Sequence, residues 1–540
     1  MAKVLFVNPT VRQEDNPLHI PYGIALLAAI SDKKGHQVQI LDANAWRPDD
    51  DELREAIKSD RWDVIAIGGI TTTYGYTKKV LKYTKEDSPK SLRVIGGGIL
   101  TSMPQDMMKL IPEIDIGVIG EAFVTFPEIL EKIDKKEQNW ESVLGIIWRD
   151  KYGKSHLNPE RALISDLDQL PYPAWNMLPM KEVYFKNSSL LYSEEAYSSK
   201  VRMDINGSFG CPFICRFCFH LGLAGDLHYD NPNNDQADTI FTHNRINRVH
   251  SPHYLVKMVK YMRDNYGTDF VLFFDENLLA MNVYMKNQWL PEICRLWIEE
   301  GLQPQCTKDN VPHDPKKCKG VHWGGTSHAT LANPELLAQM HEAGCSQLLY
   351  GYESFSKRIL KNVGKGATPQ TNERSLHMTL DAGIRPIPNQ MMGFPDEFFD
   401  SLIDCVNAWE RMGIVVKPFF ATPYPGSEWY YKYKDKILEQ YGYSGNRESD
   451  YLEALDAFLI DLGDATKITA TISQYFTPVE LLGLRELMVN RAIKRIKEYE
   501  KHWRSLHNIH GEPSFDDVKW APAQQKRKDA GASQLANIKL

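Results

Sequence analysis

The chain has 540 residues, too many for one ordinary hydrophobic core, so about two to four domains are expected. Its 43% hydrophobic and 25% charged residues are typical of a soluble globular protein, and a net charge of −7 disfavours nucleic acid as the main partner. The sequence contains no apolar run of about 18 residues and no signal-peptide pattern, so no membrane span is expected. Eight cysteines are too few for a disulfide scaffold, which predicts a cytoplasmic protein.

Residues 1–150 alternate short apolar runs with stretches of helical periodicity. This pattern predicts an α/β domain with a parallel, doubly wound sheet, whose ligands bind beyond the carboxyl ends of the strands. All predicted strands except the second end in Gly, Asn or Pro, which lets a bulky planar ligand approach the backbone. The predicted strands are Lys3–Asn8, Gln37–Asp42, Asp63–Gly69, Arg93–Gly98 and Ile114–Gly120.

The remaining chain divides into a connector, a second βα series and a helical region. Residues 151–198 are the linker, with a proline-rich stretch at 166–175. Residues 199–430 repeat the βα pattern six times, and polar residues at strand ends line the active face of barrel-like folds. Residues 431–540 are predicted to be helical with a disordered tail; a capping box, Thr477 to Glu480, opens a helix to about Leu506.

Three cysteines, Cys211, Cys215 and Cys218, lie on one short loop with the spacing C-x3-C-x2-C. Three thiolates can ligate three irons of a [4Fe–4S] cluster and leave the fourth iron open to an exogenous ligand. A zinc knuckle is the alternative, but it normally needs a second ligand pair, and the sequence has no second C-x2-C.

With Phe217 before the third cysteine, this loop resembles the signature of radical S-adenosylmethionine (SAM) enzymes, C-x3-C-x-aromatic-C. The resemblance implies that the three cysteines hold the cluster, that SAM chelates the fourth iron, and that reduction yields methionine and a 5′-deoxyadenosyl radical. It also implies SAM contacts at strand ends and before the first barrel helix, which starts at Ser251-Pro252. These residues are Arg248, Asp275, Glu276, Asn277, Glu353 and Ser354.

The glycine-ended strands of residues 1–150 resemble the cobalamin-binding domain found ahead of many radical SAM modules. The matching positions are Asn8, Pro9, Tyr22, Gly23, Asp42, Gly69, Thr71, Thr72, Gly97, Gly98, Gly120 and Glu121. Two positions depart from the family pattern: no Asp-x-His-x-x-Gly motif is present, and Phe123 replaces an acid. We therefore expect cobalamin without a histidine on cobalt. A nucleotide-binding sheet, a purely structural sheet and a degenerate cobalamin domain are the alternatives.

Two stretches match no family pattern. Residues 219–249 form a long predicted loop beside the cysteines, a candidate substrate lid with His220, His228 and His243 in solvent. Residues 288–323 contain Cys294, Cys306, His313, Cys318 and His322. Gaps of eleven, six and four residues do not match a compact metal site, so we expect structural roles there, with a second metal or auxiliary cluster as the alternative.

The domain order resembles that of cobalamin-dependent radical SAM enzymes. The resemblance implies transfer of a methyl group from methylcobalamin to an unactivated carbon, or phosphorus, of a small-molecule substrate. Reduction of the cluster would need an electron donor such as flavodoxin or ferredoxin, and the sequence nominates no catalytic side chain. The alternatives are a cyclase of the porphyrin-ester type, a carbon–carbon coupling enzyme, or a cobalamin-binding sensor with a structural cluster.

Overall fold

The computed structural model describes residues 1–11, 16–187, 192–219, 227–229, 239–241, 246–445, 447–463 and 466–509. Its two large β-sheets, each with flanking helices, are joined by a linker and followed by further helices. Within these residues, no helix has the length and apolar character needed to span a bilayer. The predicted disordered tail beyond residue 520 lies outside the described part of the chain.

The N-terminal sheet has seven strands, and the first five of them in chain order pair in parallel. The sixth and seventh strands continue it antiparallel, a hairpin that the sequence did not reveal. The seventh strand lies beyond the predicted domain boundary at residue 150. In chain order, the strands are Lys3–Asn8, Gln37–Asp42, Val64–Gly68, Leu92–Gly96, Ile116–Val118, Ile146–Arg149 and Ser155–Leu157.

Helices cover both faces of this sheet. Leu5 and Val7 pack into one hydrophobic cluster, whereas Val4 and Phe6 pack into another, because successive side chains of a strand point to opposite faces. This double burial confirms the predicted doubly wound arrangement. The helices are Tyr22–Lys33, Ala43–Trp46, Asp50–Lys58, Tyr74–Asp87, Gly98–Ser102, Pro104–Leu110 and Ala122–Asp134, with a 3-10 turn at Thr71–Thr73.

The second sheet has six parallel strands that pair in chain order, as in an open partial barrel. This confirms the predicted (β/α)6 architecture. Its strands are Arg202–Ile205, Phe270–Phe273, His322–Ser327, Cys345–Glu353, Arg385–Met392 and Phe419–Phe420. Its helices are Pro252–Tyr266, Leu278–Tyr284, Trp289–Glu299, Gln305–Asp309, Pro334–Glu342, Lys357–Asn362, Pro369–Asp381 and Phe399–Met412.

The linker packs against the barrel. Trp175 is buried in the barrel core and contacts the rings of Tyr172, Tyr261 and Tyr266. Short helical turns at Leu167–Gln169, Trp175–Met177 and Met180–Tyr184 and a helix at Glu194–Ser198 complete the linker.

Four helices follow the barrel: Glu428–Glu439, Glu448–Asp461, Pro478–Val489 and Ile493–Leu506. The predicted single helix from Thr477 to Leu506 is wrong, because Arg491 has φ +53° and breaks it in two. The first pair reaches back to the N-terminal sheet, where the Lys78 ammonium lies 2.6 Å from the Asp456 carboxylate. These helices therefore tie the two sheets together.

Candidate active site

The carboxyl ends of both parallel sheets face one cavity of about 780 Å³. Parallel sheets bind ligands at this edge, so the shared cavity is the candidate site. Most residues singled out in the sequence line it. From the N-terminal sheet they are Asn8, Pro9, Tyr22, Gly23, Gly69, Gly97, Gly98, Gly120 and Glu121; from the barrel they are Cys211, Cys215, Phe217, Cys218, Asp275, Glu276, Asn277 and Glu353.

The cysteine loop is anchored on both sides. The Arg216 amide donates to the Val363 carbonyl at 3.1 Å, and the Trp429 amide donates to the Arg216 carbonyl at 3.1 Å. Gly210, just before the loop, has φ +100°, and a Cβ there would lie 2.8 Å from the Ile246 carbonyl oxygen. The three cysteines of this anchored loop line the cavity together, as ligation of one iron–sulfur cluster requires.

Two carboxyl groups follow the second barrel strand. Asp275 is fully buried and accepts hydrogen bonds from the Ser208 hydroxyl and, at 2.9 Å, from the Gly207 amide. Burial raises the pKa of Asp275 to about 7 and that of Glu276 to about 7. A cation entering the cavity would favour their ionised forms, so this edge is suited to a group such as the SAM ammonium.

Asn277 lines the same edge and caps a helix, since its side-chain oxygen accepts from the Ala280 amide at 3.1 Å.

Glu353 ends the fourth barrel strand with φ +58°, which is uncommon for a non-glycine residue. Its carboxylate lies 2.9 Å from the ammonium of Lys365, and both side chains are buried. Burial alone would lower the pKa of Lys365, but the negative charges of the Glu353 carboxylate and of the Cys215 and Cys211 thiolates raise it overall. Lys365 could not be predicted as a site residue from the sequence, because it lies in a short glycine-flanked loop with no periodic signal.

His328 is a second lining residue that was not among the predicted site residues. Its ring stacks on Phe213, with centroids 3.9 Å apart. Nε2 donates to the Lys365 carbonyl at 2.8 Å, and burial lowers the pKa of His328 to about 3, so the ring is neutral. His328 directly follows the third barrel strand, so the strand-end rule applied to Asp275 could have found it.

Five predicted residues lie outside the lining of this cavity. Asp42 orients Asn8: its carboxylate accepts from the side-chain amide of Asn8 at 2.7 Å and from the Tyr184 hydroxyl at 2.6 Å. The Ser354 hydroxyl contacts the Cys405 thiol at 3.5 Å in the barrel core. The others are Arg248, which pairs with Glu121, and Thr71 and Thr72, whose turn contributes only Thr73 to the lining.

The glycines of the N-terminal sheet make a cradle for a large ligand. Gly97 has φ +95°, and a Cβ there would lie 2.3 Å from the Gly69 carbonyl oxygen, so two backbones cross at this point. A Cβ on Gly23, Gly98 or Gly120 would meet no atom within 4 Å, so these glycines border open space. Among the lining residues that this sheet contributes, none is a histidine. The cradle has room for a large planar ligand such as a corrin ring.

The predicted lid at residues 219–249 lies largely outside the described residues. Within the described part, strands Leu227–Tyr229 and Thr239–Phe241 pair antiparallel, and Arg248–Val249 pairs with Ser208–Phe209. The lid assignment therefore stays a prediction.

Four of the five ligand-type side chains in residues 288–323 lie together, although their sequence gaps match no compact metal site. Cys306, His313, Cys318 and His322 each place one ligand atom within 4.8 Å of the others. Cys294 lies apart from them, buried in the helix Trp289–Glu299.

Comparison with known proteins identifies both halves of this arrangement. Residues 11–130 match the family model of the B12 binding domain, and residues 205–408 match that of the radical SAM superfamily.

Three curated relatives span most of the chain. An uncharacterized methyltransferase of Pyrococcus horikoshii is 25% identical over 86% of this chain and 89% of its own. Cytidylyl-2-hydroxyethylphosphonate methyltransferase of Streptomyces wedmorensis is 27% identical over 79% of this chain and 80% of its own. Anaerobic magnesium-protoporphyrin IX monomethyl ester cyclase of Rubrivivax gelatinosus is 23% identical over 81% and 70%.

Solved structures share the fold. The cobalamin-dependent SAM radical enzyme OxsB, with aqua-cobalamin bound, aligns at a TM-score of 0.59 and 16% identity over 81% of this chain and 56% of its own. The radical SAM methyltransferase TsrM of Kitasatospora setae, with cobalamin and a [4Fe–4S] cluster bound, aligns at 0.57 and 15% identity over 94% and 100%. By these two family matches, the chain combines a B12 binding domain with a radical SAM domain, and its cofactors are a [4Fe–4S] cluster, SAM and cobalamin.

Proposed function

We propose that the protein is a methyltransferase that replaces a hydrogen of an unactivated carbon, or of phosphorus, in a small-molecule substrate with a methyl group. The observation that carries the proposal is the shared cavity: the cluster cysteines and the glycine cradle line one space of about 780 Å³. A substrate atom there can face both cofactors without leaving the cavity. When bound, the cofactors supply the radical and the methyl group, so that one methylation consumes two SAM and two electrons and yields S-adenosylhomocysteine, methionine and 5′-deoxyadenosine.

The residues of this chain bind and orient the cofactors. We assign Cys211, Cys215 and Cys218 to three irons, and the buried edge of Asp275 and Glu276 to the SAM ammonium or ribose. Glu353, held by Lys365 at 2.9 Å, is assigned to the same ligand. Gly23, Gly97, Gly98 and Gly120 receive the corrin. The apolar side chains of the cavity, such as Phe213 and Phe274, exclude water from a radical intermediate.

Two of the relatives bear the name methyltransferase, which supports methylation. A cyclase that uses the same scaffold is the second candidate, because the Rubrivivax gelatinosus relative bears that name. We further propose an electron donor such as flavodoxin or ferredoxin, and a cytoplasmic location, where cluster thiols stay reduced. The proposed domains are residues 1–150 for cobalamin, with the sheet extended to Leu157, then 151–198, 199–430 and 431–540.

The products formed from SAM test the proposal before the substrate is known. Protein carrying cluster and cobalamin is reduced anaerobically with SAM, and both 5′-deoxyadenosine and S-adenosylhomocysteine are measured by mass spectrometry. A methyltransferase yields both, with at least one S-adenosylhomocysteine per bound cobalamin. A cyclase yields 5′-deoxyadenosine alone, and a sensor with a structural cluster yields neither.

Two additions sharpen this experiment. A variant with Cys211, Cys215 and Cys218 changed to Ala should form no 5′-deoxyadenosine, whereas Cys405→Ala, at a buried barrel cysteine, should behave like the wild type. Cytidylyl-2-hydroxyethylphosphonate, which the Streptomyces wedmorensis relative is named for, is a first substrate probe. Methyl-labelled SAM would place the label in the product if it is a substrate.

A further inference from the structure

Four potential metal ligands converge at the amino-terminal edge of the barrel, far along the strand from the shared cavity. The Cys306 sulfur lies 3.2 Å from the Cys318 sulfur and 3.4 Å from His322 Nε2. The Cys306 sulfur also lies 3.8 Å from His313 Nδ1, and the Cys318 sulfur 3.8 Å from His322 Nε2. With zinc bonds of about 2.3 Å to sulfur and 2.0–2.1 Å to nitrogen, a tetrahedron has ligand spacings of roughly 3.3–3.8 Å. Four of the six ligand-atom pairs have about this spacing, and all four atoms lie within 4.8 Å of one another.

Each histidine is also oriented by the hydrogen bond of its other nitrogen. His322 Nδ1 donates to the Gly344 carbonyl at 3.3 Å, which leaves the Nε2 lone pair facing the two sulfurs. His313 Nε2 lies 3.0 Å from the Ser198 hydroxyl, which leaves Nδ1 toward Cys306. Metal-bound histidines are held in this way by partners outside the ligand set. The Cys306 amide donates to the Cys318 sulfur at 3.4 Å, a contact that stabilises a thiolate.

The backbone brings these residues together although their sequence spacing is irregular. Cys306 lies in the short helix Gln305–Asp309, and His322 is the first residue of a barrel strand. The Gln305 amide donates to the Lys319 carbonyl at 2.8 Å. Gly320 has φ +114°, and a Cβ there would lie 2.6 Å from the Gln303 carbonyl oxygen. Only glycine therefore allows the chain to turn back toward Gln305 at this position.

We propose that Cys306, His313, Cys318 and His322 bind one structural zinc ion. Four protein ligands close the tetrahedron, so no position is left open for a substrate or water, unlike a catalytic zinc site. The ion would cross-link the loop of residues 306–321 to the barrel strand and, through the contact of His313 with Ser198, to the linker helix Glu194–Ser198. It stabilises the barrel, while the radical chemistry takes place at the opposite strand ends.

A disulfide between Cys306 and Cys318 is the competing explanation for two close sulfurs. It gives no role to the two imidazole lone pairs that face them, and a protein with an iron–sulfur cluster works in a reducing environment. The geometry therefore favours zinc, and the redox state of these cysteines is one outcome of the test.

The test uses the full chain with Cys211, Cys215 and Cys218 changed to Ala, because it lacks the cluster that would complicate metal analysis. Protein purified anaerobically without added metal should contain one zinc per chain by elemental analysis. X-ray absorption at the zinc edge, which neither iron nor cobalt obscures, should give two sulfurs at about 2.3 Å and two nitrogens at about 2.0–2.1 Å.

Substitutions then locate the ion. His313→Ala, at a partly exposed ligand, and Cys318→Ala should each lower the zinc content at least tenfold. Cys294→Ala, at a buried cysteine outside the group, should leave it unchanged. If a variant does not fold, a chelator added to the parent protein should release the zinc and lower Tm by several degrees. Full zinc retention in both ligand variants, iron in place of zinc, no zinc at all, or a Cys306–Cys318 disulfide in alkylated peptides would each overturn the proposal.

Discussion

Arg248 and Glu121 form a buried ion pair across the junction of the two domains. Arg248 Nη1 lies 2.8 Å from Glu121 Oε2, and Nη2 contacts Oε1, which makes the pair bidentate. The Arg248 guanidinium also donates to the Ile164 carbonyl of the linker at 2.9 Å. The side chains are 5% and 12% exposed. Two residues that the family resemblance assigned to different cofactors therefore bind each other, and they connect the cobalamin domain, the linker and the barrel.

This pair should stabilise the junction measurably. Glu121→Gln or Arg248→Met leaves one buried charge without its counterion, so each should lower the free energy of unfolding by about 3–5 kcal/mol. The double variant should cost less than the sum of the two, as measured by urea unfolding of the cofactor-free protein. Asp400→Asn is the control, because it breaks an exposed pair with Arg358, expected to contribute about 0.2–1 kcal/mol. Additive effects of the two buried changes would contradict the assignment.

Two glycines of the cradle should respond differently to added side chains. Gly97→Ala forces a Cβ to within 2.3 Å of the Gly69 carbonyl oxygen, so the sheet must shift and the protein should lose stability even without cofactor. Gly23→Leu meets open space at its Cβ, so the fold should persist while the side chain enters the cavity and weakens cobalamin binding at least tenfold. Thermal unfolding and cobalamin titration separate the two effects. Unchanged cobalamin affinity in Gly23→Leu would move the corrin away from this helix.

Local signals made much of the fold predictable. Ser251 caps the first barrel helix, as expected from the Pro252 that follows it, and the capping box of Thr477 with Glu480 opens a C-terminal helix. The pairs Arg248–Glu121 and Lys365–Glu353 were not predictable, because they depend on how distant strand ends meet. The ligand group around Cys306 was missed for a related reason: the turn at Gly320 brings together residues whose spacing matches no known motif.

The cobalt of bound cobalamin should have no nitrogen ligand from the protein. The lining residues contributed by the N-terminal sheet include no histidine. Ile70, which follows the third strand of this sheet, adds an apolar residue to the lining. Electron paramagnetic resonance of the cob(II)alamin form should therefore show no nitrogen superhyperfine splitting on the axial cobalt lines. Free cobalamin with its own base bound provides the positive control. A triplet splitting in the protein sample would require a nitrogen ligand from outside this lining or from the cobalamin base.

Lys365 should set the reduction potential of the cluster. Its ammonium is buried, lies 5.9 Å from the centre of the Phe217 ring and interacts with the thiols of Cys215 and Cys211. A nearby positive charge favours the more negative reduced state, so Lys365→Met should shift the potential to more negative values and slow SAM cleavage. Redox titration followed by electron paramagnetic resonance measures the shift. Lys361→Met, at an exposed lysine of the same segment, should leave the potential unchanged. An unchanged potential in Lys365→Met would show that the ammonium is screened from the cluster.

The buried carboxyls at the second barrel strand should make the cofactor-free protein less stable as pH rises. Burial raises the pKa of Asp275 from 3.8 to about 7 and that of Glu276 from 4.5 to about 7. At a pH between the ordinary pKa and the raised pKa, the folded chain still holds protons that the unfolded chain has lost. The stability present at low pH is therefore lost as pH rises through about 4 to 7. Glu276 disfavours ionisation of Asp275, and Tyr22 also faces Asp275. Around Glu276, Arg248 favours ionisation and Glu121 disfavours it.

Asp275→Asn isolates this contribution, because its amide oxygen can still accept from the Gly207 backbone amide and its NH2 group can donate to the Ser208 hydroxyl, but the side chain no longer titrates. Other buried acids, including Glu397 with its pKa raised by burial to about 8, change stability in the same direction in both proteins. The comparison is therefore the difference in Tm between wild type and variant at about pH 5 and about pH 8. Relative to the wild type, the variant should gain stability as pH rises. A constant difference across this range would mean that Asp275 is already ionised in the folded protein at pH 5.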